Sequence, residues 1–235
     1  MDIVYLVKNC YDNEELTYSL RSLSNLPHDK VFMVGGCPSN LNKQNIVHIA
    51  VAQGPDKFAN TRHNIGLICE NPSLSDDFIL MNDDFFILKP IKDVNEELNL
   101  CRGKIEDVEK AYKMRYNGGS NDYLIGMHQT RVYLQDRGFL DPLSYELHTP
   151  MVMNKQKVLE MFTMPYLDSI KVLHWRSLYG NKYLKGSKVI EDVKLIYDYF
   201  YPLGSDKFVS SEDNTWPRVK TYVGKLFPEK SIYEI

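Results

Sequence analysis

The chain has no apolar run of the ~20 residues that a membrane-spanning helix needs. Its first ten residues, MDIVYLVKNC, carry an acid at position 2 and only a short apolar stretch, which is not the pattern of a secretory signal. Cysteine is sparse. Cys10, Cys37, Cys69 and Cys101 stand 27, 32 and 32 residues apart, and none of these gaps is the short C-x-x-C type of spacing of a zinc site. The expectation is reduced thiols in a cytoplasmic protein. The near-equal gaps do not mark a repeat, because their flanking residues do not recur. Neither sign of charge dominates: 28 Lys and Arg against 31 Asp and Glu leave a net charge of −3. That argues against a protein held by a dense phosphate-neutralising patch, although a local basic groove stays open. No Pro/Gly/Ser-rich linker divides the 235 residues, so one domain over 1–235 is expected. With 43% hydrophobic and 12% aromatic residues the chain is also too apolar for intrinsic disorder.

What is present begins with alternating strand and helix signals. Ile3-Val4-Tyr5-Leu6-Val7 reads as a buried strand by length and β-branching. Asp12, three residues before Glu15, looks like the cap of a helix with Leu16, Leu20 and Leu23 on one face, stopped by Pro27. Val31 to Val34, Ile46 to Ile49 and Phe78 to Met81 are further strands. Asn60 to Glu70 carries helical spacing between the last two of these, and Phe85 to Leu88 resumes an apolar run closed by Pro90. This order predicts an α/β domain, its mainly parallel central sheet flanked by helices on both faces. The second half reads as mostly helical: Ile105 to Arg115, Tyr123 to Arg137, Lys155 to Phe162, Ile170 to Leu178 and Thr215 to Phe227. Gly118-Gly119-Ser120-Asn121 reads as a loop. The second half is expected to pack over the sheet rather than stand apart.

The main chemical signal is Asn82-Asp83-Asp84, which follows four apolar residues and precedes four more. Adjacent charges there are costly unless solvated, paired or bound to a cation. Ligands of open α/β sheets bind at the carboxyl ends of strands, where two carboxylates suit magnesium or manganese. The alternative is an ordinary polar turn. Lys57 to Asn64 opens the helix before that strand. Lys57 and Arg62 could hold a diphosphate, and Asn60 or Asn64 could read a base or a sugar hydroxyl. The alternative is a polar helix start with Asn60 as its cap. In Ser144-Tyr145-Glu146-Leu147-His148-Thr149-Pro150, an extended backbone would put Glu146 and His148 on one side, as a general base or a base with a metal ligand. A wet strand face is the plainer account. His174 to Asn181 holds Trp175, Arg176 and Tyr179, aromatics and donors suited to a sugar, or else the faces of an amphipathic helix.

This layout resembles the nucleotide-sugar glycosyltransferases of the GT-A type, in which a Rossmann-like half binds the nucleotide and an acidic DxD motif ends a strand. Asn82-Asp83-Asp84 takes the place of that motif, with Asn first, and KFANTRHNIG (57–66) looks like the helix that precedes it. A closer resemblance, over nearly the whole chain, is to small glycosyltransferase-like proteins encoded by bacteriophages. It is carried by DIVYLVKN…NEELTYSLRSL, VFMVGG, FILMNDDFFILKPI, PLSYELHTPMV, RSLYGN and FPEKSIYE. SLRSL, MNDDFF and ELHTP are also similar to the Stealth sugar-phosphate transferases of capsule synthesis.

The resemblance implies a metal-dependent enzyme with residues 1–90 as the nucleotide-sugar-binding half and 91–235 as the acceptor-binding half. Asp84 would bind the divalent ion, manganese or magnesium. Asp83 would be a second ligand or, with Asn82, a donor contact. Lys57, Asn60, Arg62 and Asn64 would hold the nucleotide-sugar. His148 would be a further metal ligand or an acid/base, Glu146 the favoured base, and Trp175, Arg176 and Tyr179 would lie near the acceptor or donor sugar. The acceptor would be a modified phage DNA base, a virion protein or a glycan, met in the host cytoplasm if the gene is viral. Two other functions stand beside this: transfer of a hexose-1-phosphate, and non-catalytic binding of a glycan or nucleotide on the same fold.

Overall fold

Strand β1 (Asp2–Val7) is buried along almost its whole length, which is what a central strand of a parallel sheet covered on both faces requires. In the computed structural model, which describes residues 1–115, 119, 121–196 and 205–235, the elements follow as α1 (Glu14–Ser22), β2 (Val31–Gly35), β3 (Ile46–Ile49), α2 (Lys57–Cys69), β4 (Asp77–Met81), β5 (Phe85–Ile87), α3 (Val94–Glu97), β6 (Leu100–Cys101), α4 (Ile105–Arg115), α5 (Asp122–Gln135), β7 (Met151–Asn154), α6 (Lys155–Phe162), α7 (Trp175–Tyr183), β8 (Lys188–Val189), β9 (Phe208–Ser210) and α8 (Trp216–Leu226). Gly118 and Ser120 of the expected loop lie outside the described residues. No helix among the described residues is long and apolar enough to cross a membrane.

The main sheet has the order β3-β2-β1-β4-β7. β1 pairs in parallel with both β2 and β4, β3 pairs in parallel with β2, and β7 closes the β4 edge antiparallel. After β1 the chain moves to one side through β2 and β3, then returns to the other side as β4. The carboxyl ends of β1 and β4 are therefore a topological switch point, where helices on opposite faces leave a crevice. One core, with Val4, Phe32, Phe78 and Leu80, packs under α2 and α4 to α7. The other, with Ile3, Tyr5, Met33 and Ile79, packs under α1. Side chains such as Phe32 and Phe78 are wholly buried, each worth ~1.5–3 kcal/mol against exposure.

β5 pairs with β9 on one side only. Helix α1 and the turn after it complete its other side with side chains. Ser19 Oγ donates to the Phe85 carbonyl (2.6 Å), Ser22 Oγ accepts from the Ile87 N–H (3.1 Å) and Asn25 Nδ2 donates to the Ile87 carbonyl (2.8 Å). The three-residue spacing of these groups is one helical stripe laid along a strand edge, and it sets where the acidic turn before β5 sits.

Several local expectations change. The α1 cap is Asn13, whose Oδ1 accepts from Leu16 N–H (2.9 Å), not Asp12. Helix α2 starts three residues early and is capped by Asp56, so Asn60 lies inside it. The helix expected over Ile170 to Leu178 is α7, displaced to Trp175–Tyr183, with His174 as its cap residue. Residues 145–149 form no strand, yet Tyr145, Leu147 and Thr149 are buried while Glu146 and His148 are half-buried, the alternation of extended chain. The cysteines are free thiols, Cys69 and Cys101 buried.

Candidate functional site

At the switch point lies a cleft of about 740 Å³, floored by the end of β1 and by Asn82-Asp83-Asp84. Its first wall is acidic. Asp83 is held by Asn13, whose Nδ2 donates to Oδ2 at 2.7 Å while its Oδ1 caps α1. Burial and the neighbouring Asp84 carboxylate push the Asp83 carboxyl up from its ordinary value. Asp84 Oδ2 accepts from Ser210 Oγ (2.9 Å), a placement that the Phe85–Ser210 register of β5 and β9 provides, and Lys194 Nζ stands 3.7 Å away. Glu15, on α1, accepts from Ser211 Oγ. Burial raises its carboxyl, and Asp84, Asp83 and Asp213 add to that rise. The floor thus gathers more negative charge than its positive neighbours balance.

The second wall is α2, which presents Lys57, Asn60, Thr61 and Asn64 at helical spacing. Asn64 is 3% exposed, and its Oδ1 is buried with no hydrogen-bond partner. A buried acceptor left unmade costs ~1–3 kcal/mol, which a ligand donor would recover. Asn60 is used differently: Oδ1 accepts from Gly54 N–H and Nδ2 donates to the Gly54 carbonyl, fastening the loop before the helix. Gln53 reaches into the sheet end, donating from Nε2 to the Val7 carbonyl and accepting the Asn9 N–H. Gly35, at φ +101°, leaves that room, since a Cβ there would stand 2.4 Å from Gln53 Nε2.

Arg62 is not in the cleft. It pairs with Asp168 at 2.7 Å, lies over the Phe162 ring and lines a separate cavity on the outer side of α2. The expectation that it shares the donor phosphates with Lys57 fails on helix geometry, because five residues are a rotation of about 140°.

Behind Asn82 and Thr61, which line both spaces, is a second cavity of about 220 Å³. It brings together Glu146, His148, Trp175 and Arg176. Glu146 Oε1 accepts from Ser177 N–H (3.0 Å) and Oγ (3.1 Å), capping the first turn of α7. Arg176 is 8% exposed and donates from Nη2 to the Thr149 carbonyl, while its Nε is buried without a partner. Burial pulls its pKa down, against the pull of Glu146 and Asp192. Tyr179 does not join this group. It sits one helical turn, ~5.4 Å, further along α7, and its hydroxyl accepts from the Asn154 N–H at the β7–α6 junction. It is packing for the sheet edge rather than a cavity wall.

Among the described residues no three His, Cys, Asp or Glu side chains converge to hold a metal ion unaided. The set Asp83, Asp84 and His148 is therefore not assembled as a protein cage. His148 instead bonds Asp192. The paired carboxylates still suit a hard divalent ion that takes two protein oxygens and completes its shell from phosphate and water, as magnesium does. Sequence reasoning missed Glu15, Lys194, Ser210 and Asp192. Glu15 was visible only as a helix-start acid, and the others come from a stretch with no periodic signal.

No protein-family model matches the chain, and no curated protein matches it. Solved structures do. The galactosyltransferase LgtC, in complex with donor and acceptor sugar analogs, is 13% identical and aligns over 98% of this chain and 96% of its own, with a TM-score of 0.51. An active-site mutant of LgtC aligns over 96% and 95% at 14% identity, with a TM-score of 0.52. Mouse xyloside xylosyltransferase 1, in its apo form, aligns over 92% and 99% at 12% identity, with a TM-score of 0.45. The chain has the mixed α/β fold of the GT-A glycosyltransferases, a mostly parallel central sheet flanked by helices.

Proposed function

We propose that this protein transfers a glycosyl group from a nucleoside-diphosphate sugar to an acceptor hydroxyl. The observation that carries this is the acidic turn at the β1/β4 switch point, facing Lys57 and the unpartnered Asn64 across one cleft. The fold shared with LgtC, whose structure holds donor and acceptor sugar analogs, supports it.

In this reading the donor's diphosphate lies across the carboxyl ends of β1 and β4. Asp83 and Asp84 would hold a divalent ion there, and when bound it neutralises charge on the diphosphate leaving group. Lys57 supplies positive charge from the opposite wall, and Lys8 and Lys194 also line the cleft. Asn64 Oδ1 accepts a hydroxyl of the donor. The donor sugar points past Asn82 and Thr61 toward the second cavity, where the acceptor hydroxyl meets it. Trp175 offers an apolar ring there, and Arg176 Nε an unused donor.

The test is donor cleavage with a panel of nucleotide-sugars and manganese, the released nucleotide identified with and without chelator. Chelator-sensitive release of a nucleoside diphosphate is the expected result. A nucleoside monophosphate would mean sugar-phosphate transfer instead. A protein that neither binds nor cleaves any donor would overturn the proposal.

A further inference from the structure

Asp192 is a half-buried carboxylate that no step above uses. It lies in the extended stretch after β8, where Val193 and Leu195 are wholly buried and Asp192 and Lys194 face the other way. Lys194 reaches Asp84, and Asp192 reaches His148. Asp192 Oδ1 accepts the backbone N–H of His148 (3.1 Å) and of Val193 (2.9 Å). His148 Nδ1 lies 3.1 Å from Oδ1 and 3.0 Å from Oδ2, and Arg102 Nη1 stands 3.5 Å from Oδ2. Although burial opposes ionisation, the His148 ring and its hydrogen bonds, with Arg102 behind, hold the Asp192 carboxyl well below the usual carboxylate range.

A carboxylate can only accept, so Nδ1 carries the proton, and in the neutral ring Nε2 then carries the lone pair. The ring stands edge-on to Phe85, centroids 6.1 Å apart, and lines the second cavity beside Asn82. No described residue bonds Nε2. Glu146, the other candidate base, has Oε1 committed to Ser177 at the start of α7.

We propose that His148 Nε2 is the general base that receives the acceptor's proton, and that Asp192 is the positioning residue that fixes its tautomer and aim. This rests on the glycosyl-transfer reading. In the step, the acceptor oxygen forms a bond to the donor's anomeric carbon. The bond from that carbon to the phosphate oxygen breaks, and its electron pair leaves with the nucleoside diphosphate. The acceptor's proton moves to His148 Nε2, and the imidazolium is stabilised by Asp192 until it gives the proton to water.

Asp192→Asn separates this role from simple support. The amide oxygen would stay with the two backbone N–H donors at Oδ1, which puts the amide NH₂ where Oδ2 faces Nδ1. A donor there makes Nδ1 an acceptor, moves the ring proton to Nε2 and removes the base. The experiment is nitrogen-15 NMR of histidine-labelled full-length protein, together with steady-state kinetics. The chain has 6 histidines, and the signal lost in His148→Gln assigns the ring.

The expected result is an Nδ1–H tautomer in the parent and an Nε2–H tautomer in Asp192→Asn. With that flip, kcat falls ~10²–10⁴-fold while KM for the donor is unchanged. An Nε2–H tautomer in the parent overturns the proposal. So does full kcat in Asp192→Asn, or activity in His148→Gln with loss in Glu146→Gln. The NMR result needs no turnover, so the Asp192–His148 assignment can fail or stand apart from the transferase reading.

Discussion

The sequence places Asp84 on a metal ion and Arg62 on the donor's phosphates in one site, and the structure parts them. Asp84 faces the cleft, held by Ser210, whereas Arg62 pairs outside it with the exposed Asp168. Asp84→Ala should therefore lower donor turnover by about 10²–10³-fold with little change in melting temperature. Arg62→Ala should leave donor affinity intact, because a solvent-exposed pair is worth only ~0–1 kcal/mol even for stability. The donor-cleavage assay with a melting curve checks Asp84→Ala, titration calorimetry with the nucleotide checks Arg62→Ala, and a large loss of nucleotide affinity in Arg62→Ala would contradict the placement. Asn64→Ala removes a buried acceptor that has no partner in the protein. Its expected signature is weaker nucleotide-sugar binding, about tenfold for one hydrogen bond of ~1.4 kcal/mol, without loss of stability. A drop in stability with unchanged binding would make Asn64 a packing residue.

At the scale of elements, the stripe Ser19, Ser22 and Asn25 along β5 shows how a helix can stand in for a missing strand. Ser22 is completely buried and is the Ile87 N–H's acceptor. Ser22→Ala leaves that donor unmet and should cost about 1–3 kcal/mol in urea unfolding. It should also weaken donor binding, since the acidic turn precedes β5 directly. Wild-type stability in the variant would show that the stripe is incidental. The elements of the first half were mostly legible in the sequence: β1 to β5, like α6, fall where apolar periodicity put them, while β7 at the sheet edge was not marked by it. The errors lie at ends. Asp12 and Asn60 are good capping residues, but Asn13 and Asp56 have the extended backbone and the geometry to cap. Two adjacent capping-type residues cannot be ranked by type alone.

For the whole molecule, ligand and proton linkage are the readable quantities. A nucleoside diphosphate should raise the melting temperature only when manganese or magnesium is present, by ~2.7 kcal/mol of stability at 100 times its Kd. An equal shift in chelator would remove the ion from the donor site. Asp192 and Glu234 both have carboxyls held below their ordinary values. For Asp192 burial opposes this and His148 and Arg102 outweigh it; for Glu234 burial opposes it and the bidentate Arg21 outweighs it. Lowered folded values mean stability that is present above the ordinary carboxylate pKa of ~4 and is lost as pH falls through the folded values. The stability gap between the parent and Asp192→Asn should therefore close as the pH drops below ~4. A gap that widens with acid would show that Asp192 is not held as an anion.

The sequence by itself determined the order of strands and helices from β1 to β5, the α/β class, and an acidic pair at a strand end, whereas β6 to β9 lie in a half that reads as mostly helical. These follow from apolar periods and residue types that are local to a few positions. Only the tertiary structure decided which side of α2 faces the cleft, that Tyr179 serves the sheet edge, and that Asp192 holds His148. The last pair is 44 residues apart in the chain, and the Ser210–Asp84 bond spans 126. Such partners are chosen by how the crossovers pack and by the β5–β9 register, and a hydrophobic period carries no information about either.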